Sequence, residues 1–241
     1  MNTLTNNYCD YADCKLADLI TSDYNLLTVL NRFGIRLGFG EATVSDVCKR
    51  YGIAIEPFLA ISSVYCGNNM PDVANLDIDA LPHILLYLQR SHNYYKRDYF
   101  PQLTLAMEQL TATCDAVHKQ ILGKFYNDYC TEVNRHFDYE EQSVFPYVEQ
   151  MIQKQLPRRD YHIRQFARSH SDIDEALNDL KSIIIKYLPE SSPDDLRAHV
   201  LREVFQLEED LRKHTLIENQ LLIPLTMRLE QVPKKSKNLR K

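Results

Sequence analysis

A histidine followed four residues later by a glutamate occurs twice in this chain, as His136 with Glu140 and as His214 with Glu218. Residues four apart lie on one face of a helix, so each pair directs an imidazole and a carboxylate toward one point. Both pairs interrupt an apolar stripe, which predicts that they face a helical core. A buried glutamate carries a desolvation cost of several kcal/mol unless something compensates it. A metal ion would compensate the carboxylates and the imidazoles together.

The two apolar stripes advance by steps of mostly three and four residues on both sides of these pairs. Because this spacing follows the turn of an α-helix, it predicts two helices whose inward faces carry the pairs. The stripe positions are Val117, Ile121, Tyr129, Val133, Val144, Tyr147 and Met151 around the first pair, and Leu196, Val200, Val204, Leu207, Leu211, Leu221 and Leu225 around the second.

An internal repeat of 78 residues joins the two pairs to two further histidines. The shift carries each pair, with the proline six residues after its glutamate, onto the other, and it carries Ser91-His92 onto Ser169-His170. Two helical hairpins related by a pseudo-two-fold axis are therefore predicted, and symmetry favours two metal ions, one for each half. The candidate ligands are His92, His136, Glu140, His170, His214 and Glu218.

The type of these six side chains narrows the choice of metal. Four imidazoles that bind terminally and two carboxylates that bridge suit iron or manganese, while the absence of a nearby cysteine argues against a thiolate zinc site. A lone histidine is more often an ordinary core or surface residue, but six residues in one repeat are difficult to explain that way. We expect two non-haem iron ions joined by an oxo bridge, with manganese as the alternative.

Four long helical stretches position these residues, at roughly 80–110, 114–153, 159–187 and 193–230. Short polar or proline-containing breaks separate them, so an antiparallel four-helix bundle is the expected packing. The fourth stretch begins most clearly, because Ser192 can cap it and Pro193 suits the first helical position. The fold class is all-α.

The glycines divide the rest of the chain. Five of the six glycines lie at or before Gly67, where short helical patterns alternate with turns. We therefore expect a small helical N-terminal domain at residues 1–70 and the bundle at residues 77–231. A basic tail at residues 232–241 is expected to be disordered.

Composition excludes several classes of function. The chain has 241 residues, a formal net charge of -5 and 25% charged residues, without the basic face that nucleic acids require. No apolar run reaches the length of a membrane span, and the N-terminus lacks a secretory pattern. Six scattered cysteines indicate free thiols in a reducing compartment, so a cytoplasmic location is expected, with no membrane or nucleic-acid partner.

The motifs resemble those of the hemerythrin-like (HHE cation-binding) family, and within it the repair of iron centres proteins, which are di-iron proteins tied to nitric oxide and oxidative stress. The resemblance covers residues from about 80 to 230 and implies a hemerythrin-like antiparallel four-helix bundle with the same six ligands. The matching phrases are His136-Phe-Asp-Tyr-Glu-Glu-Gln-Ser-Val-Phe-Pro146, Ser169-His170 and His214-Thr-Leu-Ile-Glu-Asn-Gln-Leu-Leu-Ile-Pro224.

Three positions depart from the patterns of these relatives. Oxygen-carrying hemerythrins have a second histidine where this chain has Asp174, and their last carboxylate lies five residues after its histidine rather than four, as Glu218 does here. One imidazole ligand fewer implies an open coordination position on the metal, and therefore reactive chemistry rather than oxygen carriage. The repair proteins carry Cys-Cys-Gly-Gly where residues 37–40 read Leu-Gly-Phe-Gly, so a mechanism that needs those thiols is not expected.

The resemblance implies a response to nitric oxide or oxidative stress and the repair or protection of iron–sulfur proteins. Nitric oxide, dioxygen or peroxide would bind at open metal positions, and Glu141 and Asp174 are acids that could orient the ligands. Whether the protein is an enzyme stays open.

Two other functions also stay open. One is a sensor or regulator, in which residues 43–53 and 56–63 form a helix-turn-helix reader. A module that packs on a partner or on a second copy, as in a homodimer, fits that segment better, because it is not markedly basic. The other is an oxygen-binding or iron-storing protein without catalysis.

Overall fold

A computed structural model describes residues 11–67, 76–153, 162–168, 171–189 and 192–231, without the side chains of residues 167–168 and 171–175. The described part of the chain is helical and contains no strand, apart from an isolated antiparallel bridge between Lys15 and Thr43. The N-terminal segment forms four short helices, which are α1 (Leu16–Ser22), α2 (Leu26–Phe33), α3 (Val44–Tyr51) and α4 (Ile55–Tyr65).

The rest of the chain forms a bundle of four long helical stretches, three of which contain a wider π-helical turn. They comprise α5 (Leu81–Tyr94) and α6 (Phe100–Ala112), α7 (Ala116–Tyr139) and α8 (Phe145–Ile152), α9 (Ser171–Lys186), and α10 (Asp194–Ile217) with α11 (Ile223–Gln231). Short 3-10 helices at Ile78–Ala80 and Ile163–Arg168 precede the first and third stretches. The predicted all-α bundle is confirmed.

The 78-residue repeat reappears in the bounds of the helices. Helices α7 and α10 are each 24 residues long, and both their first and last residues differ by the repeat length. Two predicted starts differ from the structure. Helix α10 has Pro193 at its N-cap rather than at its first helical position. The described α-helix of the third stretch begins at Ser171, well after the predicted 159.

Three π-helical turns lie near the candidate ligands, at Tyr95–Tyr99, Glu140–Val144 and Glu218–Leu222. In each turn, the residue before a proline donates its backbone N–H to the carbonyl five residues earlier. A proline offers no N–H and its ring crowds the carbonyl four residues earlier, and a widened turn relieves that conflict. The three prolines are Pro101, Pro146 and Pro224.

Two clusters of buried apolar side chains fill the interior, one shared by the N-terminal helices and the adjacent end of the bundle, the other within the rest of the bundle. The first stretch passes from the first cluster at Leu88 on α5 to the second cluster at Tyr95 in the π-helical turn. The second stretch passes back between Phe137 and Val144. The candidate ligands therefore lie at the level where the two clusters meet.

The start of the predicted stripe on α7 does not face the core. Val117 is 64% exposed and Ile121 is 43% exposed, whereas Leu122 and Tyr126 are buried. A step of four residues turns an α-helix about 40° beyond one full turn, so a series of such steps drifts off any fixed face. The prediction was right from Tyr129 onward and wrong for the first two positions.

A buried arginine joins the N-terminal segment to the bundle. Arg32 on α2 is 2% exposed, and its Nη2 lies 2.7 Å from Oδ2 of Asp210 on α10. The guanidinium carbon lies 3.6 Å from the centre of the Tyr94 ring, and the hydroxyl of Tyr65 donates to Oδ1 of Asp210 over 2.6 Å. The division into domains at residues 1–70 and 77–231 stays a prediction, and the basic tail lies outside the described residues.

Helix α4, the second element of the helix-turn-helix interpretation, is packed into the core. Eight of its 11 residues are buried, and Glu56 alone is exposed. A recognition helix must present an outward face to the major groove, so this packing does not favour a DNA reader. Within the described residues, no helix combines the length and the apolarity needed to cross a bilayer.

Candidate metal centre

Four of the six candidate ligands converge inside the bundle. His92 lies on α5, His214 lies on α10, and Glu140 and Glu218 each begin a π-helical turn. One nitrogen or oxygen atom from each side chain lies within 4.8 Å of all the others, and all four residues are buried. The helices thus bring together residues that are far apart along the chain.

The ring nitrogens and carboxylate oxygens of this group point at one another. Nε2 of His92 lies 3.2 Å from Nε2 of His214 and 2.9 Å from Oε2 of Glu140. On the opposite side, Nε2 of His214 lies 3.2 Å from Oε1 of Glu218. Two imidazoles and two carboxylates therefore direct electron pairs into the same small volume.

A fifth candidate, His136, approaches the other oxygen of the same carboxylate. Its Nε2 lies 2.8 Å from Oε1 of Glu140, whose Oε2 faces His92. A carboxylate whose two oxygens face different imidazoles is placed to bridge two metal positions. The side chain of His136 is 11% exposed, so a second metal position beside it would lie closer to the surface.

The group crosses the repeat. His92 belongs to the first half and His214 to the second, so the expectation of one metal for each half does not describe the geometry; each half contributes to the same position. His170 lies outside the described residues, as does the side chain of Asp174. Their predicted roles stay predictions.

Burial sets the charge balance of the site. Glu140 and Glu218 are both 0% exposed. Burial raises the pKa of Glu140 well above its usual range, and the nearby carboxylate of Glu218 raises it further. Burial also lowers the pKa of His136. The surroundings thus disfavour charge on Glu140 and on His136, and a bound cation would reverse that preference for the carboxylate of Glu140.

Aromatic rings form the walls of the site. The His92 ring stacks on Phe137 with ring centres 4.1 Å apart. It also stacks on Phe145, with ring centres 5.3 Å apart. The ring of Tyr95 meets His214 edge-on at 6.0 Å. These contacts restrict how the imidazoles can turn and keep bulk water away from their inward nitrogens.

A short polar chain leads from His92 to the surface. The Nδ1–H of His92 donates to Oε1 of Glu141 over 3.0 Å, and the ammonium group of Lys96 donates to the same oxygen and to Asp138. The hydrogen bond from His92 lowers the pKa of Glu141 to about 2, and Lys96 lowers it as well. The sequence indicated Glu141 but missed Lys96, which its position four residues after His92 could have revealed.

The donor set fits a transition-metal ion. Metal–nitrogen and metal–oxygen bonds of about 2.0–2.2 Å place opposite ligands a little over 4 Å apart, close to the observed spread. The group contains imidazole and carboxylate but no thiolate, which suits iron or manganese. A metal would also resolve the close approach of the two Nε2 atoms, which are both oriented as ligands.

An all-α bundle with a buried group of histidines and glutamates defines a class of metal-binding helical proteins. The family model of the hemerythrin HHE cation binding domain matches residues 83–226. The chain therefore belongs to the hemerythrin HHE family, as the sequence motifs indicated. A search among curated proteins gave no significant match.

Proposed function

We propose that this protein holds two iron ions on His92, His136, Glu140, His170, His214 and Glu218.

 The observation that carries this proposal is the convergence of four of these residues, all buried, with ligand atoms within 4.8 Å of one another. His92 and His214 would hold one ion, His136 and His170 would hold the other, and the two glutamates would bridge them. An oxo group is the expected third bridge.

The chain's own residues would do three things for such a centre. The histidines and glutamates hold the metal in a buried layer, the stacked rings of Phe137 and Phe145 orient His92, and the apolar clusters on both sides exclude bulk water. A di-iron centre supplies open coordination positions and one-electron redox chemistry.

Nitric oxide, dioxygen or peroxide is the class of small molecule that we expect at this centre. The resemblance to the repair of iron centres proteins supports a role in the response to nitric oxide and oxidative stress, in which iron–sulfur proteins are repaired or protected. Asp174, where oxygen carriers have a histidine, supports reactive chemistry rather than oxygen carriage. A cytoplasmic location would suit a protein that acts on iron–sulfur proteins there.

Metal analysis combined with optical spectroscopy tests the proposal. Protein expressed with iron should contain close to two equivalents and show the absorption of an oxo-bridged di-iron centre, which nitric oxide should change. Replacing both His136 and His214 by Ala should abolish the iron and the absorption. His199→Ala is the matched control, because His199 lies on α10 with a side chain that is 49% exposed. Iron content that is unaffected by the double replacement would contradict the proposal.

The repair role needs its own experiment. An enzyme whose iron–sulfur cluster has been damaged by nitric oxide is incubated with the iron-loaded protein, and the recovery of its activity is followed. Recovery should depend on the iron-loaded wild type and be absent with the His136→Ala, His214→Ala double variant. Equal recovery with free ferrous iron would contradict the repair role, but it would not contradict the proposed di-iron site.

A sensor is the second candidate, and one contact favours it. Arg32 of the N-terminal segment pairs with Asp210, one helical turn before His214, and lies over the ring of Tyr94. A change at the metal could therefore reach the N-terminal helices through α10. Hydrogen exchange of α2 before and after nitric oxide tests this coupling: altered protection that Arg32→Met abolishes would favour a sensor, and unchanged protection would contradict it.

A further inference from the structure

The single histidine of the first half is attached to a chain of charged side chains. In the first half, Nδ1 of His92 donates to Oε1 of Glu141, and that oxygen also accepts from Lys96 over 3.1 Å. Lys96 is held in turn by Asp138 at 2.9 Å. The imidazole is thus attached to a chain of three charged side chains that ends at the surface.

The repeat carries this chain onto residues that cannot reproduce it. Glu141 shifts onto Asn219, Lys96 onto Asp174, and Asp138 onto Leu216. The acid becomes a neutral amide, the base becomes an acid, and the outermost acid becomes apolar. The ligand set repeats while this outer chain does not.

The other histidine of the four-residue group has no such support. Nδ1 of His214 is buried and has no hydrogen-bond partner among the described residues. Within this metal position, Glu141 is therefore the carboxylate that fixes an imidazole. A carboxylate on the far nitrogen of a ligand histidine holds the ring in one tautomer, sets its orientation and makes it a stronger donor.

We propose that Glu141 is a positioning residue that keeps the Nε2 of His92 directed at the metal and strengthens metal binding at the position shared by His92 and His214. The inference rests on the proposed di-iron site and adds a residue that the repeat does not supply twice.

Anaerobic titration of the metal-free protein with ferrous iron, against a competing chelator, tests this role. The wild type should bind two equivalents. Glu141→Ala should weaken the binding step that depends on His92 by about 10–100-fold, the range typical of an outer partner of a metal ligand. Glu141→Gln keeps an oxygen acceptor without the charge, so its affinity should lie between those of the wild type and Glu141→Ala. The other binding step should change less.

Asp138→Asn is the matched control, because Asp138 contacts Lys96 but not His92; it should leave both steps unchanged. Histidine nitrogen NMR of metal-free protein gives a second readout, in which the Nδ1–H of His92 should be present in the wild type and lost or shifted in Glu141→Ala. Equal weakening of both steps, or an unchanged His92 signal, would overturn the inference. Binding of fewer than two irons by the wild type would instead contradict the proposed function, and the NMR signal would still test the position of His92.

Discussion

The two halves of the bundle have matching helix and turn bounds but make different side-chain contacts. Helices α7 and α10 have the same length, and each leads into a π-helical turn that begins at a buried glutamate and ends before a proline. Around this common frame the first half carries the Glu141 chain and an apolar outer face, whereas the second half holds Asp210, which binds the N-terminal Arg32. A repeat can therefore preserve a ligand set while each copy takes on different contacts.

The repeat alone does not predict which side chains meet in the candidate site. The four-residue group mixes the two halves, because the single histidine of the first half faces the paired histidine of the second over 3.2 Å. Antiparallel hairpins related by a pseudo-two-fold axis bring opposite halves together at the axis. The metal position is built across the repeat.

Replacing single candidate ligands should have the largest effects on metal binding. His92→Ala and His214→Ala should each remove the same metal position, although they lie in different halves, and His136→Ala should remove the other. Loss of a direct ligand should exceed the roughly 10–100-fold effect of an outer partner. Iron titration of the three variants checks the pairing. If His92→Ala behaves like His136→Ala and unlike His214→Ala, the halves bind metal separately and the pairing is wrong.

Much of this arrangement follows from local pattern in the sequence. The helices of the bundle and the inward direction of Glu140 and Glu218 follow from spacing, because periodicity fixes which side chains share a face. A proline lies six residues after each glutamate, and in the structure a π-helical turn precedes each of these prolines. Pro101 lies six residues after Tyr95, and the third π-helical turn precedes it. The prolines therefore indicate the positions of the π-helical turns.

The remainder depends on contacts between distant segments, which periodicity does not encode. Nothing local marks Arg32 as a buried residue that meets Asp210, 178 positions later. The exposure of Val117 and Ile121 is a matter of how α7 is rotated against its neighbours, and apolar residue types alone do not report that rotation. Long-range packing therefore decides the outer contacts, while spacing along the helices predicts the candidate ligands.

Asp210 and its repeat counterpart Glu132 should differ in their contribution to stability. Asp210 forms a buried pair with Arg32, and removing one partner of such a pair costs about 3–5 kcal/mol. Glu132 pairs with the exposed Arg135, and a pair of that kind contributes at most about 1 kcal/mol. Urea unfolding should therefore show a large loss for Asp210→Asn and a small one for Glu132→Gln. Similar losses would mean that Arg32 does not anchor the N-terminal segment.

The two buried glutamates should oppose folding when no metal is bound. Because burial raises the pKa of Glu140, its favourable contribution is complete below the unfolded pKa of about 4.3 and is lost as the pH rises toward the folded pKa. Metal-free protein should thus become less stable between about pH 4.3 and neutral pH. Glu140→Gln should remove this dependence and raise the free energy of unfolding at neutral pH by about 1–3 kcal/mol.

Glu218→Gln tests whether the second half behaves alike, since Glu218 is equally buried. Both variants should be stabilised without metal and impaired in iron binding, as measured by thermal unfolding with and without iron. A glutamine that destabilises the metal-free protein would show that the carboxylate is compensated by its protein neighbours alone.

The smallest effects should come from the outer faces of α7 and α10. The first half exposes Val117, Ile121 and Phe125, and the repeat places Asp195, His199 and Glu203 at the same positions. Val117→Asp, Ile121→His and Phe125→Glu should each change the free energy of unfolding by no more than about 0.5 kcal/mol if the face meets only water. Urea unfolding at two protein concentrations measures this. A larger loss that grows with protein concentration would show that a second copy covers the face, because association stabilises the folded state by mass action.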